Sequence, residues 1–158
     1  MCIGQIGNLL PHVVVPAVMV QHLIPLWGMT NTQAGLLASA YAAGYMLAVP
    51  FLSSLTDRYD ARRILLLGSL CSGLSTLAFA LFATSWLTGL FIWGLAGASF
   101  AGAYMPGLRA LTDRLETADA SRSITLYTAS YSMGVGFSFL VSQLVADAYG
   151  WRWSFGIT

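Results

Sequence analysis

The chain has no lysine, and charged residues fill only 8% of its 158 positions, against the roughly 25% of a soluble domain. With 57% hydrophobic residues and a mean hydropathy of +0.72, it lacks the polar surface that a water-soluble fold requires. The seven basic residues are all arginine, and with six acids they leave a net charge of +1. No basic stripe is present that could follow a phosphate backbone, which excludes nucleic acid as a partner. The two cysteines, Cys2 and Cys71, stand in apolar runs outside any paired or metal-ligand spacing. They read as small hydrophobes, with no disulfide frame, zinc site or cofactor implied. No basic residue precedes the apolar start, the first being Arg58, so the opening reads as a retained spanning helix and not as a signal peptide. Also absent are His-Glu-x-x-His, a nucleophile elbow and a Gly-rich phosphate loop, and the chain is not read as an enzyme.

What is present is a set of long uncharged stretches, Met1 to Thr56, Ile64 to Leu108 and Ser123 to Ala146, with the charges clustered between them. About 20 apolar residues cross the hydrocarbon core, so the first two stretches hold two helices each and the third holds one. The predicted spans are Ile3 to Leu26, Gln33 to Leu55, Ile64 to Phe82, Trp86 to Leu108 and Ile124 to Ala146. The fold class is therefore all-α, a polytopic transmembrane helical bundle. Thr30-Asn31-Thr32-Gln33 reads as a capping box and Ala83-Thr84-Ser85-Trp86 as a turn into a new helix. Asp60, and Asp119 or Ser121, are the expected N-caps of the third and fifth spans.

Arginine placement sets the expected orientation. Arg58, Arg62 and Arg63 lie between spans two and three, and Arg109, Arg114 and Arg122 lie around the link between four and five. The positive-inside rule then puts both links and the N-terminus in the cytoplasm. Trp27, Trp86, Trp151 and Trp153 fall at the opposite ends, at the level where indoles settle. Small residues repeat every four positions at Gly94, Ala98 and Gly102, and again at Ser130, Gly134, Ser138 and Ser142. Such stripes let helix backbones approach closely in lipid.

Asp57-Arg58-Tyr59-Asp60-Ala61-Arg62-Arg63, with Ser53 ahead of it, resembles the loop signature of the major facilitator superfamily, commonly written G-x-x-x-D-R-x-G-R-R. Ser53 replaces its first glycine, Asp60 replaces the second, and one residue separates Asp60 from the Arg pair. Gly150-Trp151-Arg152-Trp153-Ser154-Phe155 is similar to the family's G-W-R-W-x-F entering helix six. The resemblance covers essentially the whole chain. It implies that residues 1–158 are an incomplete N-terminal six-helix bundle, the sixth helix beginning near Trp153, with the C-terminal half of the same transporter absent. It also implies a conformational latch of Asp57, Arg58, Arg62 and Arg109, whereas the simpler reading is that the arginines only fix topology. On charge chemistry alone, Arg109 is the partner chosen for Asp57.

In span one, Gln5, Asn8, His12, Pro16 and Met19 fall in one arc, a polar face on an apolar helix. Asn8 and His12 either bond each other or line a cavity. His12 is the one titratable group inside a predicted span that could couple transport to protons, with His22 nearer the outer end. The tyrosine pairs Tyr41 with Tyr45 and Tyr127 with Tyr131 either face that cavity or pack between helices. Pro106 and Gly107 allow a bend or end the fourth span. No Asp or Glu lies within any predicted span, and the glycine- and proline-rich antiporter motif of helix five is matched only loosely by Ser132 to Phe137. Both absences weaken a cationic-drug antiporter and favour neutral or anionic solutes.

The expectation is transport of a small solute by alternating access, as part of a larger permease in the plasma or inner membrane. The lipid bilayer, the solute and the C-terminal half are the partners, and protons or another ion are the coupling species. The alternative is a truncated, non-transporting membrane protein that binds a partner helix bundle, and the reading frame downstream of Thr158 separates the two.

Overall fold

The structure, a computed structural model, describes residues 2–112 and 117–158. The side chains of residues 2, 3, 5, 108, 110–112 and 117–122 fall outside that description. Gln5, Arg114, Arg122 and the candidate caps Asp119 and Ser121 therefore lie outside the described side chains.

Long apolar stretches without the period-two alternation of a half-buried strand fold as helices, and no strand occurs among the described residues. Among the described residues five helical stretches, Ile6–Trp27, Asn31–Leu55, Ala61–Phe82, Trp86–Gly107 and Ser123–Tyr149, are long and apolar enough to cross a membrane. They match the predicted spans in number and to within a few residues at most ends. The first is broken where the sequence suggested one continuous helix. It runs as α1 (Cys2–Leu9), a 3-10 turn (Leu10–Val13), α2 (Val14–Val18), a π-turn (Met19–Leu23) and α3 (Ile24–Trp27). Pro11 and Pro16 explain the first break, since neither has an N–H to donate and each ring crowds the preceding turn. Val13, at φ −116° and ψ 14°, absorbs the resulting bend.

The later helices are α4 (Asn31–Leu55), α5 (Ala61–Phe82), α6 (Trp86–Thr112), α7 (Thr117–Tyr149) and the short α8 (Trp151–Ile157). Their starts follow local chemistry. Thr30 and Gln33 form the reciprocal capping box of α4, with Thr30 N–H donating to Gln33 Oε1 at 2.9 Å and Gln33 N–H to Thr30 Oγ1 at 3.3 Å. Asp60 accepts the Arg62 amide at 2.9 Å and caps α5. Gly28 ends α3 and Gly150 precedes α8, with φ of +58° and +93° that residues bearing a Cβ rarely adopt. Pro106 does not end its helix, because α6 continues beyond it to Thr112.

Packing follows the small residues. A Cβ on Gly44 of α4 would stand 1.9 Å from the Gly94 carbonyl oxygen, and one on Gly68 of α5 would stand 2.4 Å from the Gly102 carbonyl carbon. The Gly94, Ala98 and Gly102 stripe of α6 therefore receives the backbones of α4 and α5. The serine stripe of α7 packs on the first span, where Ser138 Oγ donates to the Leu10 carbonyl and Gly134 leaves room for Leu9. Leu9, Val14, Val18, Leu37, Phe79 and Trp93 fill the resulting core without exposure. The outer surface carries Met46, Phe51, Leu66, Leu70, Phe91 and Phe137. An apolar coat of that extent suits hydrocarbon and not water.

Candidate functional site

Midway along the bundle the helices do not close completely. A cavity of about 450 Å³ is lined by His12, Tyr41, Tyr45, Phe100, Tyr104 and Tyr131. The 3-10 turn presents His12, α4 presents Tyr41 and Tyr45 one turn apart, α6 presents Phe100 and Tyr104 likewise, and α7 presents Tyr131. Four-residue spacing puts both members of each pair on one helix face.

The rings hold one another. His12 stacks on Phe100 at 5.2 Å between centroids and meets Tyr41 edge-on at 4.8 Å. Tyr104 meets Tyr131 edge-on at 5.6 Å. His12 Nε2 and Tyr131 Oη are hydrogen-bonded at 3.0 Å, joining the first span to the fifth. The histidine thus pairs across 119 positions, and not with Asn8 one turn away. His12 Nδ1 and Tyr41 Oη are buried without a hydrogen-bond partner.

Of the residues singled out from sequence, His12, Tyr41, Tyr45 and Tyr131 come together here, while Asn8 and Tyr127 lie outside the lining. The Tyr127 hydroxyl donates weakly to the Tyr104 carbonyl at 3.5 Å. Phe100 and Tyr104 were missed, although they carry the same four-residue aromatic spacing as the tyrosine pairs.

A second locus lies at the end of the bundle where α4 meets α5. Arg109 Nη1 donates to Asp57 Oδ1 at 2.5 Å and to Thr56 Oγ1 at 2.8 Å, tying the tip of α6 to the α4–α5 loop. Both ion-pair side chains are largely open, at 44% and 67% exposure. Arg58 and Arg62 are exposed, and among the described residues no ion pair joins them to an acid.

The opposite end holds a third polar group and corrects the sequence reading. The fifth candidate span extends to Tyr149 and so contains Asp147, whereas no acid was expected within a span. Asp147 lies 3.4 Å from His22 Nε2. The Gln143 side-chain amide donates to Asp147 at 3.2 Å and also to Gln21. At this end Trp27 contacts Trp151 at 6.2 Å, and Arg152 stands over the Trp151 ring at 5.3 Å. Among the described residues no cluster of His, Cys, Asp or Glu is arranged to hold a metal.

Comparison with known proteins identifies the family. The chain is 27% identical over 141 residues to the Escherichia coli inner membrane transport protein YnfM, covering 84% of this chain and 33% of that protein. It is 22% identical over 135 residues to human protein spinster homolog 1, covering 81% of this chain and 25% of the relative. The chain spans about a quarter to a third of the length of the curated relatives it matches. The family model of the Major Facilitator Superfamily matches residues 1–158, and with five apolar helices among its described residues the chain belongs to that superfamily as an integral membrane protein.

Proposed function

We propose that the chain forms part of a larger permease that moves a small solute across the membrane by alternating access, with the aromatic cavity as its share of the binding site. The single observation that carries this reading is the mid-bundle position of that cavity, walled by hydroxyl- and nitrogen-bearing rings contributed by three spans and the 3-10 turn of a fourth. Broken helices beside a midplane site are the usual construction of secondary transporters, and the first span is broken at His12. The Asp57–Arg109 pair acts as a latch at one face. That face and the N-terminus are cytoplasmic, in keeping with the arginines gathered there.

The test is flux through the complete protein in proteoliposomes, screened against a solute panel. At equal abundance, F100A and Y104A are expected to lower flux of the transported solute about tenfold or more, the loss that follows from about 1.4 kcal/mol of lost binding. Wild-type flux in both variants would remove the cavity from the transport path.

A further inference from the structure

We propose that the furrow between α4 and α5 binds an anionic phospholipid, with an acyl chain along Phe51, Leu55, Leu67 and Cys71 and the phosphate held by Arg58 and Arg63. The site lies on the outside of the bundle, apart from the aromatic cavity, and does not depend on what that cavity carries.

The furrow follows from how the helices meet. α4 and α5 both pack on α6 and barely touch each other. Glycine brings each of them close, Gly44 against the Gly94 carbonyl and Gly68 against the Gly102 backbone. Between them is left a groove of about 440 Å³, floored by Ala98 and Gly102. Its walls run along residues 48–55 of α4 and 64–71 of α5, roughly 10 Å each at about 1.5 Å per residue. That is about a third of the hydrocarbon thickness, reached from one face of the membrane. The rims are open, with Phe51 75% and Leu67 62% exposed. The lining has little to offer a polar ligand, since Ser99 Oγ already donates to the Leu95 carbonyl at 2.9 Å and the Cys71 thiol is only a weak donor. An acyl chain suits such a wall.

At one end both walls lead to a cation. Arg63 stands four residues before Leu67 on α5, so the two share a helix face. On the other wall the chain turns once more beyond Leu55, with the Arg58 N–H donating to the Leu55 carbonyl at 3.1 Å, which sets Arg58 just past the rim. Both arginines are exposed, and among the described residues no ion pair joins either to an acid. The two aspartates of this link hold other donors, Asp57 the Arg109 guanidinium and Asp60 the Arg62 amide. A lipid phosphate matches the guanidinium fork. A zwitterionic lipid would bring its cationic group to carboxylates already engaged, so a headgroup of net negative charge is favoured.

The test compares two photoprobes in nanodiscs of phosphatidylcholine that hold the complete protein. Each carries the same diazirine on its acyl chain, one on phosphatidylglycerol and the other on phosphatidylcholine, at equal mole fraction, and adducts are mapped by peptide mass spectrometry. The anionic probe is expected to label residues 51–55 and 67–71 about tenfold more than the zwitterionic one. R58Q with R63Q is expected to bring the two probes level. R58K with R63K, which keeps the charges that fix topology, retains most of the preference, and C71W, which fills the furrow, removes the adducts there. Equal labelling by both probes in the wild type, or an undiminished preference in R58Q with R63Q, would overturn the headgroup assignment. Absence of adducts from the furrow in the wild type would show that protein covers it and would overturn the site altogether.

Discussion

Replacing Gly97 with valine is expected to separate α6 from α4 and to remove most of the folded protein. A Cβ at this position would stand 2.0 Å from the Tyr41 carbonyl oxygen and 2.7 Å from its carbonyl carbon. No side chain can turn aside to relieve that contact, because the obstacle is the facing backbone. Overpacking a core commonly costs about 1–3 kcal/mol, and a backbone obstacle puts this site at or beyond the upper end. The control is Gly73, whose Cβ would meet nothing within 4 Å. There G73A should be neutral or raise stability by roughly 0.5–1 kcal/mol through helix propensity. Thermal unfolding and size-exclusion profiles of the detergent-solubilised protein check both variants, and a G97V protein that melts with the wild type would show that the helices are not packed backbone to backbone.

The second large effect is functional. D57N is expected to impair transport by up to about fivefold while leaving insertion and abundance intact, and R109A is expected to do the same. The stability cost should be small, because an open ion pair is worth about 0–1 kcal/mol. Its leverage comes from bearing on an equilibrium between two faces, where about 1 kcal/mol shifts populations roughly fivefold. R109K keeps the charge and is expected to restore function in part, since the bonds to Asp57 and Thr56 both come from the single nitrogen Nη1. Flux at matched abundance checks this, and wild-type rates in D57N would leave the pair as topology alone.

Much of this architecture was legible in the sequence because the membrane imposes simple rules. Uncharged runs marked the spans, Thr30 with Gln33 and Asp60 marked helix starts, and the small-residue stripes marked the faces where backbones meet. The misses have physical causes. Asp147 was excluded because span ends were drawn at the first charge, so a carboxylate on the last turn of a spanning helix could not be found by that criterion. The breaks in the first span depend on how Pro11 and Pro16 are accommodated by neighbouring helices, which local pattern does not state. The His12–Tyr131 bond joins residues far apart in sequence, and no periodicity announces it. Phe100 and Tyr104 were hidden by the glycine stripe that shares their helix.

The central claim is that water and solute reach the aromatic cavity while the apolar coat faces lipid. The most direct measurement is maleimide labelling of single cysteines in the membrane-embedded complete protein, on a cysteine-free background that includes C2S and C71S. Y45C, on the cavity wall, should react with a small water-soluble maleimide, and D57N should change the face of the membrane from which it is reached. L70C, at an apolar position 60% exposed on the outside of α5, should stay unreacted. Equal silence at both positions, or reaction at L70C alone, would contradict a solvent-accessible transport cavity in this bundle.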